Sequence, residues 1–188
     1  MSGVKPLRAL VVLVALLSGG CLRQFPNIMG VDPNSLRKDQ AVVIVSATSQ
    51  DSCSFQSAEL LIQKSDEASP RYVAVMEGQN PSEPSDFPDI HGRVYTLALA
   101  PGQYDFRLHS RNQAVRFVNG SEHSMVTKPV TVSGGEVTYV GDFQDVGCSP
   151  KRMVIRDSSA RDLQRVKLYK PTLNLSQVRV QLAEVLDN

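Results

Sequence analysis

The sequence predicts a mainly β chain: sheets packed as a sandwich, with one short helix near the C-terminal end. Two observations lead there. Nine short β-rich runs follow one another, Ala41–Ala47, Ala58–Gln63, Arg71–Met76, Gly92–Ala98, Gln103–His109, Ala114–Val118, Met125–Val132, Glu136–Phe143 and Arg152–Arg156, most of them separated by clusters of Gly, Pro, Asn, Asp or Ser. Several alternate apolar and polar residues with a period of two, the mark of a strand that buries one face.

Within the runs, Val94, Thr96 and Ala98 oppose Tyr95, Leu97 and Leu99, and Tyr104, Phe106 and Leu108 oppose Asp105, Arg107 and His109. Ala100-Pro101-Gly102 joins these two runs, and a residue of fixed φ beside a permissive glycine predicts a hairpin there. A second hairpin is expected between Lys128–Val132 and Glu136–Val140, around Ser133-Gly134-Gly135. Glu77 to His91, with Pro81, Pro84 and Pro88 among Ser, Asp and Glu, reads as a long polar loop. Ser159 and Asp162 have the spacing of a capping box, after which Leu163, Val166 and Tyr169 share one helical face until Pro171 ends it. Such a helix is expected on a sheet edge or over the open end of the sandwich. The run Gln177–Leu182 alternates as a strand, while Leu182-Ala183-Glu184-Val185-Leu186 keeps a helical option open.

Ahead of the sandwich lie two segments of different character. Residues 1–20 carry Lys5 and Arg8, then the apolar run Ala9–Leu17, then the small residues Ser18-Gly19-Gly20 before Cys21. A charged start, a short apolar stretch and a small-residue cleavage site describe an export signal, whereas a membrane span needs about 18 or more apolar residues. Residues 21–40 contain Pro26, Gly30 and Pro33 and no sustained period, so they read as a tether that holds the domain 41–188 off a surface. Phe25, Ile28 and Met29 offer apolar side chains by which the tether would dock on that domain.

The end of the leader resembles the lipobox of bacterial lipoproteins, in which the cysteine receives a diacylglyceryl group and becomes the first mature residue. The resemblance makes Cys21 the lipid anchor. It departs from the family pattern at Ser18, where a leucine is usual and Leu17 stands one place further out. Ser18 and Gly20 also suit an ordinary signal peptidase, which would release a soluble chain. Leu22, in place of Asp, by resemblance to sorting rules implies the outer membrane, facing the periplasm, over the inner one.

With Cys21 assigned, Cys53 and Cys148 remain, a pair suited to one disulfide in an exported protein. Closing a loop of roughly 95 residues would remove about 4–5 kcal/mol of unfolded-state entropy. Two buried free thiols are the alternative. Removing residues 1–20 leaves 168 residues, the size of one domain, and takes Lys5 and Arg8 from 20 basic residues, leaving 18 against 19 acidic. The basic residues are scattered among acidic ones, which argues against a nucleic-acid partner.

Motifs that carry chemistry are sparse. His91, His109 and His123 lie far apart without metal-ligand spacing, so no metal and no cofactor is expected. Asp89-Ile90-His91 could orient an imidazole, but no nucleophile elbow accompanies it. Gly134-Gly135 lies between strands, without the helix that a phosphate-cradling loop requires. There is no Trp, and Tyr72, Tyr95, Tyr104, Phe106, Phe117, Tyr139 and Phe143 mostly fall inside strands, where they serve a core better than a sugar-binding platform. The 77–91 loop, with Phe87, Asp89 and His91, is the candidate contact surface.

Leu97-Ala98-Leu99-Ala100-Pro101-Gly102-Gln103-Tyr104-Asp105-Phe106, Val130-Thr131-Val132-Ser133-Gly134-Gly135-Glu136-Val137-Thr138-Tyr139-Val140-Gly141-Asp142-Phe143 and the late Arg161-Asp162-Leu163 to Tyr169-Lys170-Pro171 stretch together resemble a group of bacterial envelope lipoproteins of unassigned activity. Their domain is a prealbumin-like (carboxypeptidase-regulatory-like) antiparallel β-sandwich. The resemblance implies architecture and location and carries over no catalytic residue. Three functions follow as expectations: a non-enzymatic, lipid-anchored adaptor that binds another envelope protein, an accessory outer-membrane lipoprotein of a secretion system, or a periplasmic hydrolase. The last requires a polar cleft that brings His91 or His109 beside a serine or carboxylate.

Overall fold

The computed structural model describes residues 39–49, 56–65, 72–77, 84–112, 123–146 and 152–186, without the side chains of 56–59, 72–77, 108–112, 123–125, 145 and 152–153. Cys21, Cys53, Cys148 and the run Ala114–Val118 lie outside the described residues, as do the leader and nearly all of the tether. The described residues form ten strands in two five-stranded sheets, with one helix.

The first sheet contains β1 (Ala41–Ser49), β4 (His91–Leu99), β8 (Val137–Val146), β9 (Arg152–Arg156) and β10 (Arg179–Val180). Its order is β10-β8-β1-β4, with β9 on the same flank of β8 as β10 but further along the strand. The second sheet runs β3 (Tyr72–Glu77), β2 (Gln56–Lys64), β5 (Gly102–Asn112), β6 (His123–Val126), with β7 (Val130–Val132) beside the start of β5. The second sheet is antiparallel throughout, as expected. The first is mixed, because β8 lies parallel both to β1 and to β10. An all-antiparallel sandwich is therefore corrected to one with a mixed sheet. Alternating apolar residues set which face a strand buries but not the direction of its neighbour.

Between the sheets sits the main core. Ala41, Val43, Val45 and Ala47 of β1 meet Leu60 and Ile62 of β2, Tyr95, Leu97 and Leu99 of β4, and Tyr104 and Phe106 of β5. Phe106 stacks on Phe143 of β8 at 5.6 Å between ring centroids. Of the aromatic residues expected inside, Tyr95, Tyr104, Phe106, Tyr139 and Phe143 are buried, while Phe117 and the side chain of Tyr72 lie outside the described ones.

Both expected hairpins turn out to be crossings between sheets. β4 pairs with β1 along its whole length and β5 pairs with β2, so Ala100-Pro101 carries the chain from one sheet to the other. The Tyr104 hydroxyl donates to the Ala100 carbonyl at 2.8 Å and pins that corner, as the conserved tyrosine does at the corner of immunoglobulin-type sandwiches. β7 and β8 are likewise split, β7 on β5 and β8 on β1. A hairpin and a crossing both place the apolar alternates of successive strands against one core, so the pattern alone does not separate them. The run Met125–Val132 is also broken in two, at Lys128-Pro129, where β6 ends and β7 begins.

The helix, α1 (Ser159–Tyr169), packs on the outer face of the first sheet, reaching from the edge strand β4 to β8. Ser158 is its N-cap, without a side-chain capping bond, so the expected Ser159–Asp162 box does not form and Asp162 turns inward. Val166 is buried and Leu163 packs beside it, whereas Tyr169 is half exposed at the last turn. With Val42, Ile44, Val94, Tyr139 and Phe87 these residues make a second apolar layer, which Leu173, Leu175 and Val178 complete.

The extended stretch beginning at β10 joins the two sheets. Gln181 and Ala183 donate backbone N–H groups to Tyr139 and Val140 of β8, both at 2.9 Å. On its other flank Lys128 donates to Glu184 at 2.7 Å, Leu186 donates to Val126 at 2.8 Å, and Val185 bridges Thr127. The strand reading of Gln177–Leu182 thus holds at Arg179–Val180, and the helical option does not.

Candidate functional site

The outer face of the first sheet changes character along β1. Val42 and Ile44 are followed, on the same side, by Ser46 and Thr48, and opposite these β8 places Tyr139 and Asp142. Asp142 reaches that side only because the β1–β8 register slips by one residue between Ile44 and Ser46. Strict alternation from Tyr139 would send Asp142 into the main core and Phe143 out; the bulge reverses both. Gly141 makes it feasible, with φ of 121° and an added Cβ lying 2.7 Å from Ile155 Cγ2.

Onto this polar end of the face α1 lowers Arg161 and Asp162. One Asp162 oxygen accepts from Ser46 at 2.5 Å and from the Tyr139 hydroxyl at 2.7 Å. The other accepts from Arg161 Nε at 2.8 Å and forms an ion pair with its terminal nitrogen at 2.7 Å. That same nitrogen reaches Asp142 at 2.9 Å, so one guanidinium bridges two buried carboxylates. Asp142 also accepts from Thr48 at 2.7 Å and from the Ser158 hydroxyl at 3.2 Å. The Arg161 guanidinium lies 4.0 Å from the Phe87 ring centroid, a cation–π lid on the cluster.

The electrostatics follow from the burial. Desolvation raises the Asp162 pKa against the opposing pull of Ser46, Tyr139 and Arg161. The Tyr139 phenol is raised well above its ordinary value, first by burial and then by the neighbouring Asp162 charge. For Arg161 burial acts downward, and Asp162 and Asp142 together outweigh it, leaving the guanidinium raised. Every carboxylate oxygen here already accepts from a neighbour, and together these bonds clamp α1 to the sheet.

Beside the cluster, a cleft of about 420 Å³ opens between the β4 side of the sheet, the 84–90 segment and the second half of α1. Its walls include Asp86, Val94, Arg165, Val166, Tyr169 and Lys170. The 84–90 segment is held firmly at the strand edge. The Ser85 hydroxyl donates to Ile90 O at 2.8 Å and accepts from Gly92 N at 3.0 Å, and Asp86 N donates to Gly92 O at 2.8 Å.

Of the contact residues expected from the sequence, Phe87 is 7 % exposed and faces inward beneath Arg161, Asp89 is exposed, and His91 is half-buried at the head of β4. His91 is not among the walls of the cleft. The side chains of His109 and His123 lie outside the described ones. No group of three or more His, Cys, Asp or Glu side chains that could hold a metal occurs among the described residues. Among the same residues no helix is long and apolar enough to cross a membrane.

The sequence reading missed the buried cluster altogether. Its signal was present: Ser46 and Thr48 interrupt the apolar face of β1 on one parity, and Gly141-Asp142 marks a bulge in an otherwise regular strand. No protein-family model matches the chain, and no curated protein matches its sequence.

Proposed function

We propose that the chain is a lipid-anchored protein of the bacterial cell envelope whose domain is a non-enzymatic binding or adaptor module. The anchor rests on Lys5 and Arg8, the apolar run Ala9–Leu17 and the small residues before Cys21. The prealbumin-like resemblance and an outer-membrane position facing the periplasm belong to the same reading.

One observation carries the binding role. On the outer face of the first sheet the carboxylates of Asp142 and Asp162 are satisfied by Ser46, Thr48, Tyr139, Ser158 and Arg161, and next to them lies a cleft whose wall carries half-exposed Tyr169. A rigid scaffold with an open concavity and an aromatic side chain in its wall suits recognition. Satisfied carboxylates, fixed by several donors each, suit support of that concavity.

Two measurements test the reading. Cys21→Ser is expected to move the protein from the membrane fraction to the soluble or precursor pool, and unchanged membrane association would remove the anchor from the proposal. Crosslinking in intact cells is expected to recover a defined envelope protein with the native chain and to lose it with Tyr169→Asp. Equal recovery from both would place the contact elsewhere.

A further inference from the structure

The cleft is unevenly charged. Arg165 and Lys170 line it against one carboxylate, Asp86, while Arg93, also in the wall, is engaged by a neighbour of its own. That carboxylate is held by other groups: one oxygen accepts from Val94 N at 2.9 Å and the other from the Tyr169 hydroxyl at 2.9 Å. Arg165 approaches it only to 3.6 Å, beyond the 2.7–2.9 Å or so of a charge-assisted hydrogen bond. The guanidinium is stacked over the Tyr169 ring at 4.4 Å and donates to the Tyr169 hydroxyl. Its Nε is buried and has no acceptor among the described residues. Arg165 is therefore oriented by its neighbours but incompletely neutralised by them.

The C-terminal end of α1 points here and adds about half a negative charge, which reduces the excess of one positive charge that Arg165 and Lys170 hold over Asp86 without cancelling it. A concave wall of low dielectric concentrates the remaining field. The apolar part of the lining, Val94, Val166 and the Tyr169 ring, lies beside the cations. The volume, about 420 Å³, falls in the range of small-molecule sites.

We propose that this cleft binds a small organic anion, with a carboxylate or phosphate group held by Arg165 and Lys170 and an apolar portion resting on Val94, Val166 and Tyr169. The inference rests on the reading of the domain as a binding module and specifies what that face takes. It does not depend on the anchor. Asp86 acts as a fixed internal counter-charge that moderates affinity, so removing its charge strengthens binding while removing Lys170 weakens it.

The test is titration of the purified protein with inorganic phosphate and, separately, with benzoate, at constant ionic strength against chloride, followed by amide NMR shifts. Saturable shifts centred on Val94, Arg165 and Tyr169 are expected, with Lys170→Gln about tenfold weaker and Asp86→Asn several-fold tighter. Saturation by phosphate alone identifies a phosphoryl ligand, and by benzoate alone a carboxylate. Saturation by both identifies a site that reads the charge and accepts either source. Absence of saturation below about 10 mM with both anions would overturn the proposal, as would affinities unmoved in both variants. Thermal melts confirm that each variant is folded. A negative result here leaves the fractionation and crosslinking outcomes unchanged, so it strikes the ligand class and not the envelope adaptor.

Discussion

β1 shows two solutions to burial on one strand. All nine of its residues are buried, yet Ala41, Val43, Val45 and Ala47 meet an apolar core, whereas Ser46 and Thr48 meet two carboxylates that one guanidinium bridges. The inner face is held by area removed from water, which needs only shape and hydrophobicity. The outer face is held by a network in which each buried charge requires its partners, and losing one leaves the rest desolvated and unpaired. The inner face should therefore respond to volume and be indifferent to pH, and the outer face should respond to single atoms and to protonation.

The largest expected effect breaks the inner face. Phe106→Ala removes a fully buried ring stacked on Phe143 and is expected to cost about 3–5 kcal/mol in denaturant unfolding, by the same amount from neutral to alkaline pH. A cost that varied with pH would blur the distinction between the faces. Tyr139→Phe removes one oxygen from the outer network and is expected to cost about 1–3 kcal/mol near neutrality. Here the sign of the pH dependence is fixed. Because the folded-state pKa of Tyr139 is raised, the native protein keeps a proton that the unfolded chain sheds above the ordinary value of 10.0. Native stability then falls as pH rises past that value, and the deficit of the Phe variant should shrink at up to about 1.4 kcal/mol per pH unit. A deficit constant across that range would mean that the hydroxyl is not held in its neutral form. The smallest effect sharpens the contrast: Lys128→Ala, which removes an exposed ion pair with Glu184, is expected to leave the melting temperature unchanged within error.

How legible each face is follows from the same physics. Periodicity-two patterning reports that a strand buries a face, so eight of the nine anticipated runs coincide with strands, while Ala114–Val118 lies outside the described residues. It does not report which strand lies alongside, so both turns read as hairpins are crossings between sheets, and the parallel β1–β8 pair was not foreseen. The polar cluster is non-local: Ser46 and Asp162 are 116 residues apart, and Thr48 and Asp142 are 94 apart. Local grammar therefore misled, because Ser159-x-x-Asp162 has the spacing of a capping box while tertiary packing recruited the carboxylate to the sheet. Arg165 and Lys170 carried no signal of a site in the sequence, since the wall that turns them into a cleft comes from residues 84–96.

The stretch 179–186, stitched to β8 on one flank and to the 126–128 segment on the other, also determines how the domain would carry tension. Its hydrogen bonds lie side by side along the strand direction, so a pull on this stretch loads them together in shear, and neither sheet can slide past the other until several have broken at once. A domain pulled along its strands would resist longest when gripped there.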